Sequence, residues 1–194
     1  MAFISPSQAR EAARRATLSS RKSVEALLRE SRDTSATSFD IFLSHSIIDR
    51  ELVLGAKVLI EEKGLTVYID WINDPEMDRT SITKLTAERI RKRMLQCSQM
   101  AYLHTPNSVL SKWCPWELGY FDAFSAPEER VYVVPIVESS SAYVGQEYLS
   151  LYRTIELSQL NKLGPVKRSH ISQASDDLRR AMGAYRTYPG RIML

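Results

Sequence analysis

Glu117 is the residue whose surroundings most favour chemistry. It lies in the aromatic segment Ser111–Phe121, which holds two of the three tryptophans of the chain. A carboxylate is normally left in water, because burial of its charge is unfavourable unless a partner compensates it. Three interpretations therefore follow: Glu117 is held by a structural partner, is kept for chemistry on a bound cation, or is a first-turn acid that stabilises the dipole of its helix.

Short apolar runs alternate with segments of helical periodicity over residues 39–194. The predicted strands are 39–44, 65–70, 99–105, 130–137 and 154–157, and the predicted helices are 46–64, 81–96, 114–125 and 172–184. Such alternation is typical of a parallel sheet that helices cover on both faces. With right-handed crossovers, the pattern predicts an α/β fold with a flavodoxin-like, five-stranded parallel sheet in the order 2-1-3-4-5.

In that strand order, ligands bind outside the carboxyl ends of the strands, at the switch point between strands 1 and 3. Strand 1 ends in Ser44, His45 and Ser46, and strand 3 ends at residues 104–106. The helix that carries Glu117 begins shortly after strand 3, so three segments converge on one predicted site. Hydroxyl groups and the amides at a helix N-terminus suit an anion such as a phosphate.

The second strand is expected to contribute to the same site. Asp70 is the last residue of this predicted strand, and Trp71 follows it at the start of a polar loop that ends at Arg79. Trp71 either stacks on a planar ring of a bound ligand or packs beneath the loop. Arg79 and Lys84 either reach a phosphate or lie in solvent, and the sequence leaves both choices open.

Residues 1–38 are predicted to form a helical extension and a linker, followed by one domain over residues 39–194. Ser5 and Gln8 have the spacing of a capping box at the start of this extension. The extension carries the whole formal net charge of +3. The charge of the domain therefore does not indicate a surface that binds nucleic acid. The basic extension is either a partner-binding element or a solvated helix face.

The two cysteines, Cys97 and Cys114, are not spaced as a metal site or a disulfide framework, which favours a reducing compartment. Cys114 is either a thiol nucleophile supported by His45 and His104 or a small buried thiol. No apolar stretch approaches the roughly 20 residues of a membrane span, and the N-terminus lacks a signal-peptide pattern. We therefore expect a cytoplasmic protein without a metal.

Two boxes of this sequence resemble conserved segments of Toll/interleukin-1 receptor (TIR) domains. The first is FDIFLSHS, from Phe39 to Ser46, and the second is VYID, from Val67 to Asp70. Residues 71–80 then lie where TIR domains have their long BB loop, although the usual glycine of that loop is absent. The resemblance covers about residues 39–185.

A third box, SKWCPWEL from Ser111 to Leu118, resembles the TIR segment that holds the catalytic glutamate of NAD-cleaving members. Glu117 follows Trp113 by four residues, as in those enzymes. The resemblance is closest to stand-alone bacterial TIR proteins of anti-phage defence, including the Thoeris type. It therefore implies that Glu117 is the catalytic residue.

The implied reaction cleaves the nicotinamide bond of NAD, which is a substrate and not a cofactor, and makes ADP-ribose or a cyclic ADP-ribose signal. The resemblance also implies a homo-oligomer formed by TIR–TIR contacts, a phage-encoded trigger and a separate effector that receives the product. The residues expected to bind the substrate are Ser44, His45, Ser46, Asp70, Trp71, Trp113 and Arg79.

A single carboxylate suffices for this chemistry. The pyridinium of NAD leaves as neutral nicotinamide without being protonated, so the acid of the usual glycosidase pair is not needed. The carboxylate stabilises the oxocarbenium-like sugar, and aromatic faces such as those of Trp113 and Trp116 suit a cationic ring. Two other functions remain open: a non-catalytic TIR interaction module, and another nucleotide-processing enzyme such as a deoxyribosyltransferase-like glycosyl hydrolase.

Overall fold

The computed structural model of the protein describes residues 2–30, 36–69, 84–125, 128–139 and 143–163. In these ranges the helices are α1 (Pro6–Ser20), α2 (Val24–Glu30), α3 (Arg50–Glu61), α4 (Lys84–Met94), α5 (Pro106–Leu110) and α6 (Trp113–Ser125). The strands are β1 (Phe39–Ser44), β2 (Val67–Tyr68), β3 (Cys97–His104), β4 (Val131–Pro135) and β5 (Arg153–Thr154). Glu147–Leu151 and Leu157–Lys162 form 3₁₀ helices on either side of β5.

The strands form one five-stranded sheet in the order β2-β1-β3-β4-β5. Each neighbouring pair is parallel, because a crossover returns the chain to the same edge between strands. Ser44 at the end of β1 lies beside Tyr102, and His104 at the end of β3 lies beside Pro135. The predicted fold class and strand order are confirmed, and the ends of β1 and β3 meet at one edge.

Alternate side chains of the strands enter two apolar layers, one on each face of the sheet. Ile41 and Leu43 of β1 belong to the layer that also contains residues of α1, α2 and α3. Phe42 belongs to the opposite layer, together with Phe121 of α6. Since Ser44 follows Phe42 by two positions, it lies on the α6 face of the sheet.

The N-terminal segment is packed into the same structure. Ile4 is fully buried and forms a parallel bridge with Ile136, just beyond the end of β4. Helix α1 lies so close to α3 that a Cβ atom added to Gly55 would be 1.9 Å from the carbonyl oxygen of Ala9. Glycine at position 55 therefore permits the close packing of these two helices.

The predicted capping box at the start of α1 is confirmed. The backbone N–H of Gln8 donates to Ser5 Oγ at 3.1 Å, and the backbone N–H of Ser5 donates to Gln8 Oε1 at 2.9 Å. Helix α1 ends at Ser20, where Arg21 adopts a left-handed φ of 56°, so the segment contains two helices. The boundary between an extension and a domain at residue 38 stays a prediction.

Helix α3 begins later than the sequence predicts. The first four residues of the predicted helix form a turn, in which the N–H of Asp49 donates to the carbonyl of Ser46 at 3.1 Å. The helix itself starts at Arg50. Pro106 ends β3, as its position predicts, but it also begins α5, because Thr105 Oγ1 accepts a hydrogen bond from the N–H of Ser108 at 3.0 Å.

Some predictions fall outside the described residues, namely the last residue of the second strand, the BB loop at 71–80 and the helix at 172–184. In the part of the chain that the structure describes, every helix is too short or too polar to cross a membrane.

Candidate functional site

Glu117 lies at the carboxyl edge of the sheet, where β1 ends. Its exposed fraction is 0%, and that of Ser44 is 1%. Ser44 Oγ donates a hydrogen bond to Glu117 Oε2 at 2.6 Å. Hydrogen bonds to ionised acceptors are short and strong, so this contact compensates part of the unfavourable burial of the carboxylate.

The periodicity of α6 explains why Glu117 is buried. Cys114, Leu118 and Phe121 are buried in the apolar layer on the α6 face of the sheet. Residues three or four positions apart share one face of a helix, and Glu117 lies on the same face as these three. The helix thus carries one carboxylate into a layer that is otherwise apolar, and Cys114 is a fully buried thiol.

Trp113 and Trp116 form a neighbouring ridge of α6. Their rings meet edge to face with centroids 5.3 Å apart, and Trp116 stacks on Tyr120 at 5.9 Å. The guanidinium of Arg91, from α4, lies 5.2 Å from the Trp116 centroid and 5.6 Å from the Tyr120 centroid. Trp113 is one helical turn before Glu117, and its role as a substrate contact stays a prediction.

His45 and Ser46 make local contacts in the connection from β1 to α3. His45 is fully buried, and its Nδ1 lies 2.8 Å from the carbonyl oxygen of Leu43. Ser46 Oγ accepts a long hydrogen bond, 3.4 Å, from the N–H of Ile48. Both residues lie at the predicted edge of the sheet, but their contacts with a substrate stay predictions.

Asp49 belongs to the same edge and was missed by the sequence analysis. Its carboxylate, on a residue that is 7% exposed, accepts hydrogen bonds from Thr105 Oγ1 and Asn107 Nδ2, each at 2.6 Å. Asp49 makes no side-chain cap to its own helix. The sequence around Asp49 does not predict these hydrogen bonds, because the partners are 56 and 58 positions away.

Two titratable groups beside this edge, Tyr102 and His104, favour their neutral forms. Burial raises the pKa of the Tyr102 hydroxyl, and the neighbouring Cys114 adds to this shift. Burial also lowers the pKa of His104, whose ring lies edge-on to Tyr143 with centroids 5.0 Å apart. These directions indicate a poorly hydrated environment near Glu117, in which electrostatic interactions are strengthened.

The remaining predicted substrate contacts, Asp70, Trp71 and Arg79, lie outside the described residues. Two cavities, of about 710 and 530 Å³, are lined by described residues around Arg130 and around Gln8, and Glu117 lines neither. Among the residues described, no group of three or more His, Cys, Asp or Glu side chains is arranged to hold a metal ion. The Glu117 carboxylate is thus closed to solvent in this structure.

Together, the sheet order and the carboxylate at its switch point define a doubly wound α/β domain with a ligand-binding edge. A family model described as "TIR domain" matches residues 41–167. The chain therefore belongs to the TIR domain family, and the resemblance seen in its sequence boxes is confirmed.

Two curated relatives are similar to this chain. One is the probable 3′ cyclic ADP-D-ribose synthase ThsB′ of Bacillus cereus (strain MSX-D12), 46% identical over 116 residues, which cover 59% of this chain and 58% of the relative. The other is the putative cyclic ADP-D-ribose synthase TIR2 of Cytobacillus dafuensis, 28% identical over 83 residues, which cover 42% of this chain and 22% of the relative. The chain thus matches little more than half of the first relative's length and less than a quarter of the second's.

Proposed function

We propose that this protein is a NAD-cleaving TIR enzyme that releases nicotinamide and converts the remaining ADP-ribose into a cyclic or linear product. The observation that carries the proposal is the Glu117 carboxylate, fully buried at the switch point and held by Ser44 at 2.6 Å. Similarity to two relatives named as cyclic ADP-D-ribose synthases supports the same activity.

The reaction breaks the bond between C1′ of the ribose and the pyridinium nitrogen. The electron pair of that bond leaves with nicotinamide, which becomes neutral, and positive charge develops on the sugar. Glu117 stabilises this charge in a site of low effective dielectric, where a fixed anion acts more strongly than in water. Water, or a hydroxyl of the same ADP-ribose, then attacks C1′ and loses its proton, giving linear ADP-ribose or the cyclic product.

The closed environment of Glu117 adds a requirement to this proposal. Since the side chain has no exposed surface, the sugar can reach it only after the atoms that cover the carboxylate have moved aside. This movement exposes the Glu117 carboxylate, which now accepts a hydrogen bond from Ser44. The substrate must therefore supply hydrogen-bond donors in place of Ser44. The ribose hydroxyls are such donors, and they would take over the lone pairs of Glu117 that Ser44 now occupies.

We further propose that the enzyme acts in the cytoplasm as a homo-oligomer, in response to a phage-encoded trigger, and that a separate effector receives its product. Exposed apolar side chains near the carboxyl edge support an assembly surface there, since they are unfavourable in water. They are Ile48, Leu110 and Val144, which are 69%, 79% and 82% exposed.

The test is nicotinamide release from NAD by the purified full chain, over a range of protein concentrations, with and without phage lysate. We expect turnover in the wild type and a loss of about 10²–10³-fold in kcat for Glu117→Gln, as for removal of a group that stabilises transition-state charge. Glu88→Gln, at an exposed glutamate of α4, is the matched control and should retain full turnover. Chromatography with mass spectrometry then separates linear from cyclic product.

Two results would contradict the proposal. Turnover that persists in Glu117→Gln would remove this residue from the reaction. Absence of nicotinamide release from the wild type at every concentration, with and without lysate, would favour a non-catalytic TIR interaction module.

A further inference from the structure

The carboxylate of Asp49 joins two loops that flank the switch point. It lies between β1 and α3, and its partners Thr105 and Asn107 lie at the junction of β3 and α5. We propose that Asp49 is a positioning residue, which locks these two loops together and so preorganises the edge that binds the substrate. This inference rests on the proposed function, because the loop that Asp49 fixes carries His45 and Ser46 and directly follows Ser44.

The choice of hydrogen-bond partners argues against a purely local role. An Asp at the start of a helix usually accepts a bond from the second or third N–H of its own helix. Asp49 makes no such cap. Oδ2 accepts from Thr105 and Oδ1 accepts from Asn107, each at 2.6 Å. Both oxygens of the carboxylate are therefore used to hold a different segment of the chain.

The other hydrogen bonds of Thr105 determine that its hydroxyl is the donor to Asp49. Its Oγ1 donates to Asp49 and accepts from the N–H of Ser108 at 3.0 Å, while its own N–H donates to Ser108 Oγ at 3.0 Å. A hydroxyl has one proton, and here that proton goes to the carboxylate. The position of Asp49 is thereby tied to the first turn of α5, and buried networks satisfied in this way are rigid.

The chain contains a matched control for this contact. Asp40, near the amino end of β1, also accepts two hydrogen bonds from a distant segment. The donors are the N–H of Thr66, at 2.8 Å, and Thr66 Oγ1, at 2.7 Å, just before β2. Asp40 and Asp49 therefore make similar contacts at opposite edges of the sheet. Loss of either should destabilise the fold, but only Asp49 should affect the binding of the substrate.

The first experiment compares the NAD kinetics of Asp49→Asn and Asp40→Asn, at a temperature where both variants are fully folded. We expect Asp49→Asn to raise KM about 10-fold or more, the size of a lost hydrogen bond to a charged group, with kcat within about 3-fold, as for an interaction present in both ground and transition states. Asp40→Asn should leave KM unchanged. Thr105→Val should behave like Asp49→Asn, and Thr105→Ser, which keeps the hydroxyl, should restore a KM near that of the wild type.

A second measurement does not depend on turnover. In amide hydrogen exchange, Asp49→Asn should accelerate exchange in both joined segments, the loop at residues 45–48 and Thr105 with helix α5 at residues 105–110, while Asp40→Asn should accelerate neither. Equal KM values for the two Asp→Asn variants, or unchanged exchange at residues 105–110 in Asp49→Asn, would overturn the inference. A wild type without turnover would instead contradict the proposed function, and the exchange experiment would still decide whether Asp49 joins the two loops.

Discussion

The hydrogen bond between Ser44 and Glu117 allows a quantitative test of how the buried carboxylate is stabilised. The perturbation is Ser44→Ala, which removes the donor and introduces no new polar group. The donor–acceptor distance is 2.6 Å and the two residues are 1% and 0% exposed, so bulk water cannot replace the lost donor. A hydrogen bond to a charged group contributes about 1.5–3 kcal/mol, and we expect the free energy of unfolding to fall by that amount.

The assay is urea denaturation at neutral pH, supported by thermal unfolding. For a chain of 194 residues, a loss of about 2 kcal/mol corresponds to a decrease in Tm of about 4–8 °C. Ser46→Ala is the matched control two residues along the same loop. Its hydroxyl accepts only a 3.4 Å hydrogen bond, so its removal should reduce the free energy of unfolding by about 0.5 kcal/mol.

The Glu117→Gln background tests the role of the charge. There the acceptor is neutral, and the same Ser44→Ala substitution should reduce the free energy of unfolding by only about 1 kcal/mol. The reasoning would be refuted if Ser44→Ala and Ser46→Ala were equally stable, or if the effect of Ser44→Ala were the same with glutamate and with glutamine at position 117. Either result would mean that the Ser44 contact does not compensate the buried charge.

Three further predictions concern the structure around the site. Gly55→Ala should lose about 1–3 kcal/mol of unfolding free energy through overpacking of α1 on α3, while Gly119→Ala, whose added Cβ meets no atom within 4 Å, should gain about 0.5–1 kcal/mol; urea denaturation measures both. The lowered pKa of His104 means that the unfolded chain binds more protons below the ordinary value of 6.5. Wild-type stability should therefore decline as the pH falls through 6.5, and thermal unfolding should show a shallower decline for His104→Phe; equal slopes would contradict this. Arg91→Gln should lose about 0.5–1 kcal/mol with its cation–π contacts, whereas the exposed Lys92→Gln should lose almost nothing, and equal denaturation midpoints for the two would contradict the contact.

The features that the sequence predicts correctly depend on local patterns or on topological rules. The capping box at Ser5 is local, since the N–H groups of a first helical turn need nearby acceptors. Gly64, the last residue of the predicted helix at 46–64, has a φ of 81° just beyond the end of α3. The strand order follows from the alternation of strands and helices with crossovers of one hand. That order alone brings Glu117 to the edge at which β1 ends.

The features that the sequence does not reveal are pairings between distant segments. Ser44 and Glu117 are 73 positions apart, and nothing in either segment specifies which of Ser44 and Ser46 makes the contact. The β1 geometry decides this, because Ser44 is still in the strand and lies on the α6 face, while Ser46 has entered the turn. The partners of Asp49 could not be predicted for the same reason, because Thr105 and Asn107 belong to a distant segment of the chain.

These two pairings have a common consequence for the chemistry. Each holds a buried carboxylate at the carboxyl edge by hydrogen bonds from hydroxyl or amide groups. Neutral donors of this kind stabilise an anion and leave its charge in place. An anion of this kind is suited to a positive charge that develops on a sugar during the reaction and disappears with the product.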